Sequence, residues 1–485
     1  MSNACRIFLS KHFSVSLAVF LLAAGGTQPS FGQTSASPPK DFDLSAIDTY
    51  IASYVREKGI VGLSVAVMQD GQITFAKGYG HRSLDPSLPV EPETSFAVGS
   101  ITKQFTCACV LLLAEDGKLS VRDPVSKYYP NLTRASDITL LDLMNHTSGY
   151  PDYYPLDFVD RRLKKPIGLD GLLKDYAGSK LDFEPGSRYS YSNTGYILLG
   201  GIVEKVTGEK FGDFLQQRIL SPLGMKHSRF GSPDGLPSPA RGYNGFALGQ
   251  PEPAIPEGPG WIEAAGGLWA SASDLLRWDL ALTSGKILKP ESYELMIKPR
   301  QLLTGKLSHY GCGLQIDLQN DDLILRHGGG VSGFVSSNAF IPRPKFGLVV
   351  LSNTEHISAT PLRAELFNLL MKEISIKEAP EIPRVNGPPA KQVVLDFFKQ
   401  MQNGRVDHAL LGEEFSHFLS DEKIKSAAIR LEALGDPEKV EADPPSERGG
   451  LEVTRVKLVF KTTTLRASMY RSPDGKIEQL LFYRE

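Results

Sequence analysis

A serine and a lysine three residues apart, at the head of an apolar run, form the most chemically suggestive pair in this 485-residue chain. In Phe96-Ala97-Val98-Gly99-Ser100-Ile101-Thr102-Lys103-Gln104-Phe105, Gly99 supplies a turn, and Ile101 to Asp116 reads as a mostly apolar helix ending at Gly117. Residues three apart share a helix face, so the Lys103 amine can reach the Ser100 hydroxyl while the positive end of the helix dipole favours an alkoxide. That arrangement activates a serine without a histidine neighbour. The same spacing recurs at Ser420-Asp-Glu-Lys423, which reads instead as an ordinary capped start of a solvated, charged helix.

Two other stretches carry compatible chemistry. Phe183-Glu-Pro-Gly-Ser-Arg-Tyr189-Ser-Tyr191-Ser192-Asn193 runs straight into an apolar helix, expected over Ile197 to Thr207. A phenol at Tyr191 and an amide at Asn193 suit proton transfer and substrate hydrogen bonding. A second Tyr-x-Asn, Tyr129-Pro-Asn131, precedes no helix and reads as a turn. Leu323-Ile-Leu-Arg326-His327-Gly328-Gly329-Gly330 reads as a strand with a bare second half, against which a substrate backbone can lie and whose N–H groups can bind an oxyanion. Strand alternation puts Arg326 and His327 on opposite faces. His309-Tyr310-Gly311 repeats the His-x-Gly spacing without the following glycines, and His146, before Thr-Ser-Gly149, reads as a loop brace.

These pieces need elements to hold them. Asp43 to Lys58 reads as an amphipathic helix, and Leu63 to Gln69 and Gln72 to Gly80 as alternating strands joined by an Asp70-Gly71 hairpin turn. Asp137 to Gly149 holds a short amphipathic helix, while 150–181 and 230–260 are loop-rich. At Glu263-Ala-Ala265-Gly-Gly-Leu-Trp269 the chain turns tightly into a helix with Ser273 or Asp274 near its cap. A closing hairpin follows over Asn338 to Ile341 and Lys345 to Leu351, then a helix over Pro361 to Ile374. The fold class expected is α+β: an antiparallel sheet flanked by helices, with a helical, loop-rich subdomain. Prolines 380, 383, 388 and 389 mark a linker over 376–389, beyond which two helices and three strands predict a small α+β module over 390–485. The main domain then spans 43–375.

With 41% hydrophobic and 22% charged residues and a formal net charge of -2, the composition is that of a soluble globular protein and carries no polyanion-binding signature, so no nucleic-acid partner is expected. Arg6 and Lys11 ahead of the apolar run Ser14 to Ala24, with Ser30-Phe-Gly32 after it, predict a signal peptide over 1–32 and a leader over 33–42. Cleavage near Gly32 removes both charges, takes the formal count from -2 to -4, and leaves a soluble periplasmic or secreted protein. Of the four cysteines, Cys107 and Cys109 point to different faces of one helix, and the set as a whole predicts no disulfide framework. Neither Cys-x-x-Cys nor His-Glu-x-x-His occurs, so no metal and no cofactor are expected.

Taken together, Ser100-x-x-Lys103, Tyr191-Ser-Asn193 and His327-Gly-Gly329, in that order, resemble the serine β-lactamase and penicillin-binding-protein superfamily. Leu143-Met-Asn-His-Thr-Ser-Gly149, Pro222-Leu-Gly-Met225 and Ala265-Gly-Gly-Leu-Trp269 resemble its class C branch of esterases, D-aminopeptidases and DD-peptidases. The resemblance implies that Ser100 is acylated, that Lys103 activates it, that Tyr191 acts as base and then acid, and that Asn193 orients the substrate amide or the Lys103 amine. It puts His327 and Gly329 against the substrate, His327 standing where class C β-lactamases carry lysine, and it makes the oxyanion hole from the backbone N–H groups of Ser100 and Gly330. Whether Lys103 or Tyr191 is the base stays open. A histidine charged only part of the time in place of a fixed cation turns the expectation from β-lactams toward generic ester or amide hydrolysis. The alternatives are a peptidoglycan DD-carboxypeptidase or weak β-lactamase, and a scaffold that has lost its chemistry. The C-terminal module resembles the NTF2-like fold in its order of elements, a fold that often encloses an apolar pocket and often dimerises, which makes a homodimer through this module an expectation.

Overall fold

The central strand Leu63-Ser-Val-Ala-Val-Met68 is buried along both faces, because helices cover the sheet on both sides. In this computed structural model the described residues are 44–154, 159–319, 322–355, 362–366 and 385–484; the expected signal peptide, the leader and most of the linker lie outside them. The first elements are α1 (Leu44–Lys58), β1 (Gly62–Gln69), β2 (Gln72–Leu84) and β3 (Ser87–Pro89). A 3-10 turn at Gly99–Ile101 leads into α2 (Thr102–Glu115), and then come α3 (Leu140–Met144), α4 (Asn193–Thr207), α5 (Glu263–Gly266) and α6 (Ala272–Thr283). The strands β4 (Gln315–Gln319), β5 (Asp322–Val331), β6 (Phe334–Ile341) and β7 (Phe346–Ser352) complete a seven-stranded sheet in the order β3-β2-β1-β7-β6-β5-β4. Every pairing in it is antiparallel.

Period-2 alternation splits the residues of β1 between two cores. Leu63, Val65 and Val67 pack with Ile47, Ile51 and Val55 of α1 and with Leu362 and Leu366 of the helical segment 362–366. Ala66 and Met68 face the other way, into the larger core built from α2, α4 and α6. Alternation between buried and exposed positions, expected for both strands of the first hairpin, holds only in β2. Helix α2 is buried from Thr102 to Leu113 on every face, as befits a helix lying inside a domain.

Three local expectations shift. Helix α4 begins at Asn193 instead of Ile197, so the amide sits in its first turn. The cap of α6 is Ser271, whose side chain accepts from Asp274 N at 3.2 Å, and not Ser273 or Asp274. The C-terminal module contains three helices, α7 (Ala390–Gln402), α8 (Glu413–Phe418) and α9 (Asp421–Glu432), and five strands, β8 (Lys439–Ala442), β9 (Ser446–Arg448), β10 (Leu451–Val459), β11 (Thr464–Arg471) and β12 (Ile477–Arg484). One face of its sheet packs on the helices through Phe397, Phe398, Val456, Leu465, Met469 and Phe482. The opposite face carries Arg455, Ser468, Tyr470, Gln479 and Tyr483, which line a cleft shared with the main sheet. Ala247, buried in the module's core, and the Arg161–Glu414 ion pair, 2.9 Å, fasten the two parts together.

Candidate active site

Gly99 takes φ +53°, and a Cβ on it would stand 2.8 Å from Gly330 N, so glycine lets the turn bearing Ser100 press against the bare half of β5. Gly329 is equally constrained: a Cβ there would lie 2.1 Å from the Val98 carbonyl oxygen, 2.6 Å from Ser336 Oγ and 2.9 Å from Ser100 N. A Cβ on Gly330 would meet nothing within 4 Å, so this residue faces open space. Gly329→Ala is therefore expected to displace the Ser100 turn and lower kcat/KM about 10²-fold, the scale of a 1 Å misplacement, with melting temperature followed in parallel.

The Lys103 amine is buried. It lies 2.9 Å from Ser100 Oγ, 2.7 Å from Asn193 Oδ1 and 2.7 Å from the carbonyl oxygen of Ala265 in α5. Burial holds its pKa well below the ordinary lysine value, against the pull of Asp152, and Arg448 pushes in the same direction as burial. A neutral amine has two N–H groups and one lone pair. Two of the three neighbours, the Asn193 and Ala265 oxygens, can only accept, so they take the N–H groups and leave the lone pair facing the Ser100 hydroxyl. The Ala265-Gly-Gly stretch thus contributes a carbonyl oxygen as well as a tight turn.

Asn193 is held from behind. Its backbone N and its Nδ2 both donate to Asp152 Oδ1 at 3.0 Å, which turns Oδ1 of the amide toward Lys103. The Tyr191 ring lies 4.9 Å from the Lys103 amine, and its centroid is 4.2 Å from that of His146. His146, at φ +58°, accepts from Ser192 N at 3.1 Å through Nδ1 and so braces the strand of loop that carries Tyr191 and Asn193. Burial keeps its ring neutral.

His327 departs from expectation. Its Nδ1 lies 2.5 Å from the Gly328 carbonyl oxygen, which can only accept, so Nδ1 carries the proton and Nε2 accepts from Tyr310 Oη at 2.8 Å. Burial pushes the Tyr310 phenol well above its usual pKa and keeps it a donor, and burial, the largest cause, lowers the His327 pKa to about 3. His327 is therefore neutral across the physiological range and not charged part of the time. Arg326, expected to point away by strand alternation, also lines the cavity, where it is engaged by Asp317 and by Gln315 Oε1 at 2.6 Å.

Ser100, Tyr191, Asn193, His327, Gly329 and Gly330 line one cavity of about 1170 Å³, with Lys103 beneath its floor. Sequence reasoning missed Asp152, Tyr310 and Arg448. Tyr310 lies in the His309-Tyr310-Gly311 stretch that read as a bystander, and Asp152 and Arg448 had no motif to announce them. Ser420 caps α9, its side chain accepting from Lys423 N at 3.4 Å; although both residues line the far wall of the cavity, the pair is a helix start. Cys107, Cys109 and Cys312 are free and buried. Among the described residues no three His, Cys, Asp or Glu side chains cluster as a metal site.

The Beta-lactamase family profile matches residues 47–369. The putative penicillin-binding protein PbpX of Bacillus subtilis (strain 168) is 30% identical over 307 residues, which cover 63% of this chain and 74% of that protein. The D-aminopeptidase of Gluconobacter oxydans (strain 621H) is 29% identical over 331 residues, or 66% of this chain; the match spans only 60% of that protein's own length. In three dimensions, the octameric penicillin-binding protein homologue from Pyrococcus abyssi matches with a TM-score of 0.61 over 91% of this chain and 99% of its own, at 23% identity, a likeness of fold alone.

Proposed function

This chain belongs to the Beta-lactamase family, and from that premise we propose that it is a serine hydrolase working through a covalent acyl-enzyme on an ester or on a peptide or D-amino-acid amide. The observation that carries the reading is the Lys103 amine, whose two acceptor-only neighbours leave its lone pair for Ser100. As Ser100 Oγ attacks the substrate carbonyl carbon, its proton passes to Lys103, and the developing oxyanion is received by the N–H groups of Ser100 and Gly330. Tyr191, over the same amine, passes the proton to the departing alcohol or amine. Water then attacks the acyl carbon with the proton movements reversed, which releases the acid and restores Ser100.

Two features favour neutral carbonyl substrates or ones bearing an amino group. A neutral His327 offers no fixed cation to a substrate carboxylate beside the nucleophile. Glu447, which accepts from Ser190 Oγ at 2.8 Å next to Tyr191, lines the same cavity and presents a carboxylate to a free amino group. The D-aminopeptidase relative agrees with that choice.

Intact-mass measurement after mixing with p-nitrophenyl esters, D-aminoacyl amides and β-lactams tests the reading. An acyl adduct on Ser100 from an ester or amide, absent in Ser100→Ala, is expected. An adduct from penicillin alone points to the DD-peptidase alternative, and none from any compound points to a scaffold. The basic and apolar segment before Gly32 supports export, and the exported chain is expected to begin at Gln33, read by N-terminal sequencing.

A further inference from the structure

We propose that Arg448, from the C-terminal module, is a positioning residue for the catalytic amine, acting on Lys103 through Asp152 and Asn193; this rests on the acyl-enzyme reading above. Arg448 ends β9, where the hairpin into β10 turns through Gly449 at φ +58° and Gly450 at φ +81°. From there its side chain enters the main domain. Nη2 donates to the Tyr154 carbonyl oxygen at 2.8 Å, and Nε stands 3.8 Å from Asp152 Oδ2. The neighbouring Glu447 fastens the same hairpin by accepting from Ser190 Oγ and from Gly450 N, both at 2.8 Å. One hairpin thus grips both loops behind the site, the one carrying Asp152 and the one carrying Tyr191 and Asn193.

The carboxylate of Asp152 explains why a cation is needed there. Its side chain is fully buried, and Oδ1 is saturated by three neutral donors: Asn193 N at 3.0 Å, Asn193 Nδ2 at 3.0 Å and Tyr154 N at 3.2 Å. Oδ2 has no hydrogen-bond donor among the described residues and faces the Arg448 guanidinium. A buried carboxylate demands a positive partner. Without Arg448 the nearest cation it can recruit is a protonated Lys103, on the other side of Asn193, and a protonated Lys103 cannot accept the proton of Ser100. With Arg448 in place, the Asp152 side chain has its positive partner and keeps Asn193 oriented while Lys103 remains free to accept a proton.

The surrounding groups leave this role to Arg448. Lys103 is faced by Cys107, Tyr191, Tyr196, His146 and His327, of which both histidines are neutral. Asp152 is faced by Tyr153 and Asp182, the latter with Arg188 beside it, and by the Lys103 amine, while Arg448 is faced by Tyr189, Tyr470 and Glu447. The module's contribution is accordingly a charge delivered to the back of the catalytic machinery.

The pH dependence of kcat/KM in the full-length protein, on whichever substrate acylates Ser100, decides the matter. In Arg448→Met the acid limb is expected to move up by about one pH unit, so that activity falls about tenfold on that limb and recovers in alkali; Arg448→Lys is expected to stay near wild type. Asp152→Asn, with the demand for a cation removed, is expected to shift the limb downward and to make it insensitive to residue 448, a test that stands even where Arg448→Met folds poorly. A uniform loss at all pH values in Arg448→Met, or a profile superimposable on wild type, overturns the proposal. If wild type forms no Ser100 adduct, the acyl-enzyme reading itself has failed; if it does and only the Arg448 profiles fail to move, this inference alone is wrong.

Discussion

Lys103→Met is expected to lower kcat/KM by about 10²–10⁴-fold, the range that a positioned general base contributes, and to stay low across the pH range. Methionine fills the buried space of the lysine stem but has no lone pair of comparable basicity to offer Ser100. It also leaves the Asn193 and Ala265 oxygens without the N–H groups they accept, at a cost of about 1–3 kcal/mol for each unmatched acceptor. A melting curve run beside the kinetics separates that loss from the chemistry. Lys103→Arg is expected to be just as inactive, because a guanidinium holds its proton at any working pH. In the wild type the acid limb of kcat/KM is expected well below the ordinary lysine pKa, since burial lowers the proton affinity of Lys103 and the base must be deprotonated to act. Activity in Lys103→Met within tenfold of wild type would assign the base to Tyr191.

The parts of the site readable from the sequence are those held by local geometry. Ser100 and Lys103 share one turn of chain, and their relation follows from helix periodicity once the apolar run is recognised. The bare strand at Gly328 to Gly330 is equally local, being a matter of absent side chains. The partners that give these groups their properties are long-range. Lys103 meets Ala265 across 162 positions, and Asp152 meets Arg448 across 296; nothing in either neighbourhood marks them. Tyr310 was hidden differently, since its role depends on the orientation of the His327 ring, which is set by the Gly328 carbonyl oxygen. Charge state was the least readable property of all. At His327 a residue type that normally titrates near neutrality is held neutral by burial, so the side chain offers no cation there.

The same distinction applies to the core of the main domain. Its amphipathic helices and strand alternation are visible as pattern, yet β1 is buried on both faces because α1 and the 362–366 segment cover the side that a single-faced sheet would leave to solvent. Which polar groups such a two-sided core encloses is decided in three dimensions. One of them, Asp279 on α6, lies opposite Asn338 on β6, whose Oδ1 accepts from the backbone N of His327 at 3.1 Å and from Gln104 Nε2 at 3.3 Å. That engagement turns the Asn338 Nδ2 toward Asp279 Oδ1, at 3.2 Å.

Asp279→Asn is accordingly expected to stabilise the protein at neutral pH and to flatten its stability profile. Burial raises the Asp279 carboxyl to about 8, only partly offset by the Asn338 hydrogen bond. The unfolded chain releases this proton near the ordinary aspartate value, about 3.9, whereas the folded chain keeps it to about 8. Between those limits the folded state binds the extra proton, so stability falls as pH rises, by up to ~1.4 kcal/mol per pH unit. From pH 4 to pH 7 this one group removes roughly 3–4 kcal/mol. Asparagine presents a carbonyl oxygen to the Asn338 amide and carries no proton to lose, so the variant's denaturant midpoint should vary far less over that interval and lie above wild type at pH 7. Its kcat/KM should change little, because the Asn338 contact to the His327 backbone is preserved. A variant that keeps the wild-type slope would place the extra proton on another buried group and leave Asp279 ionised in the core.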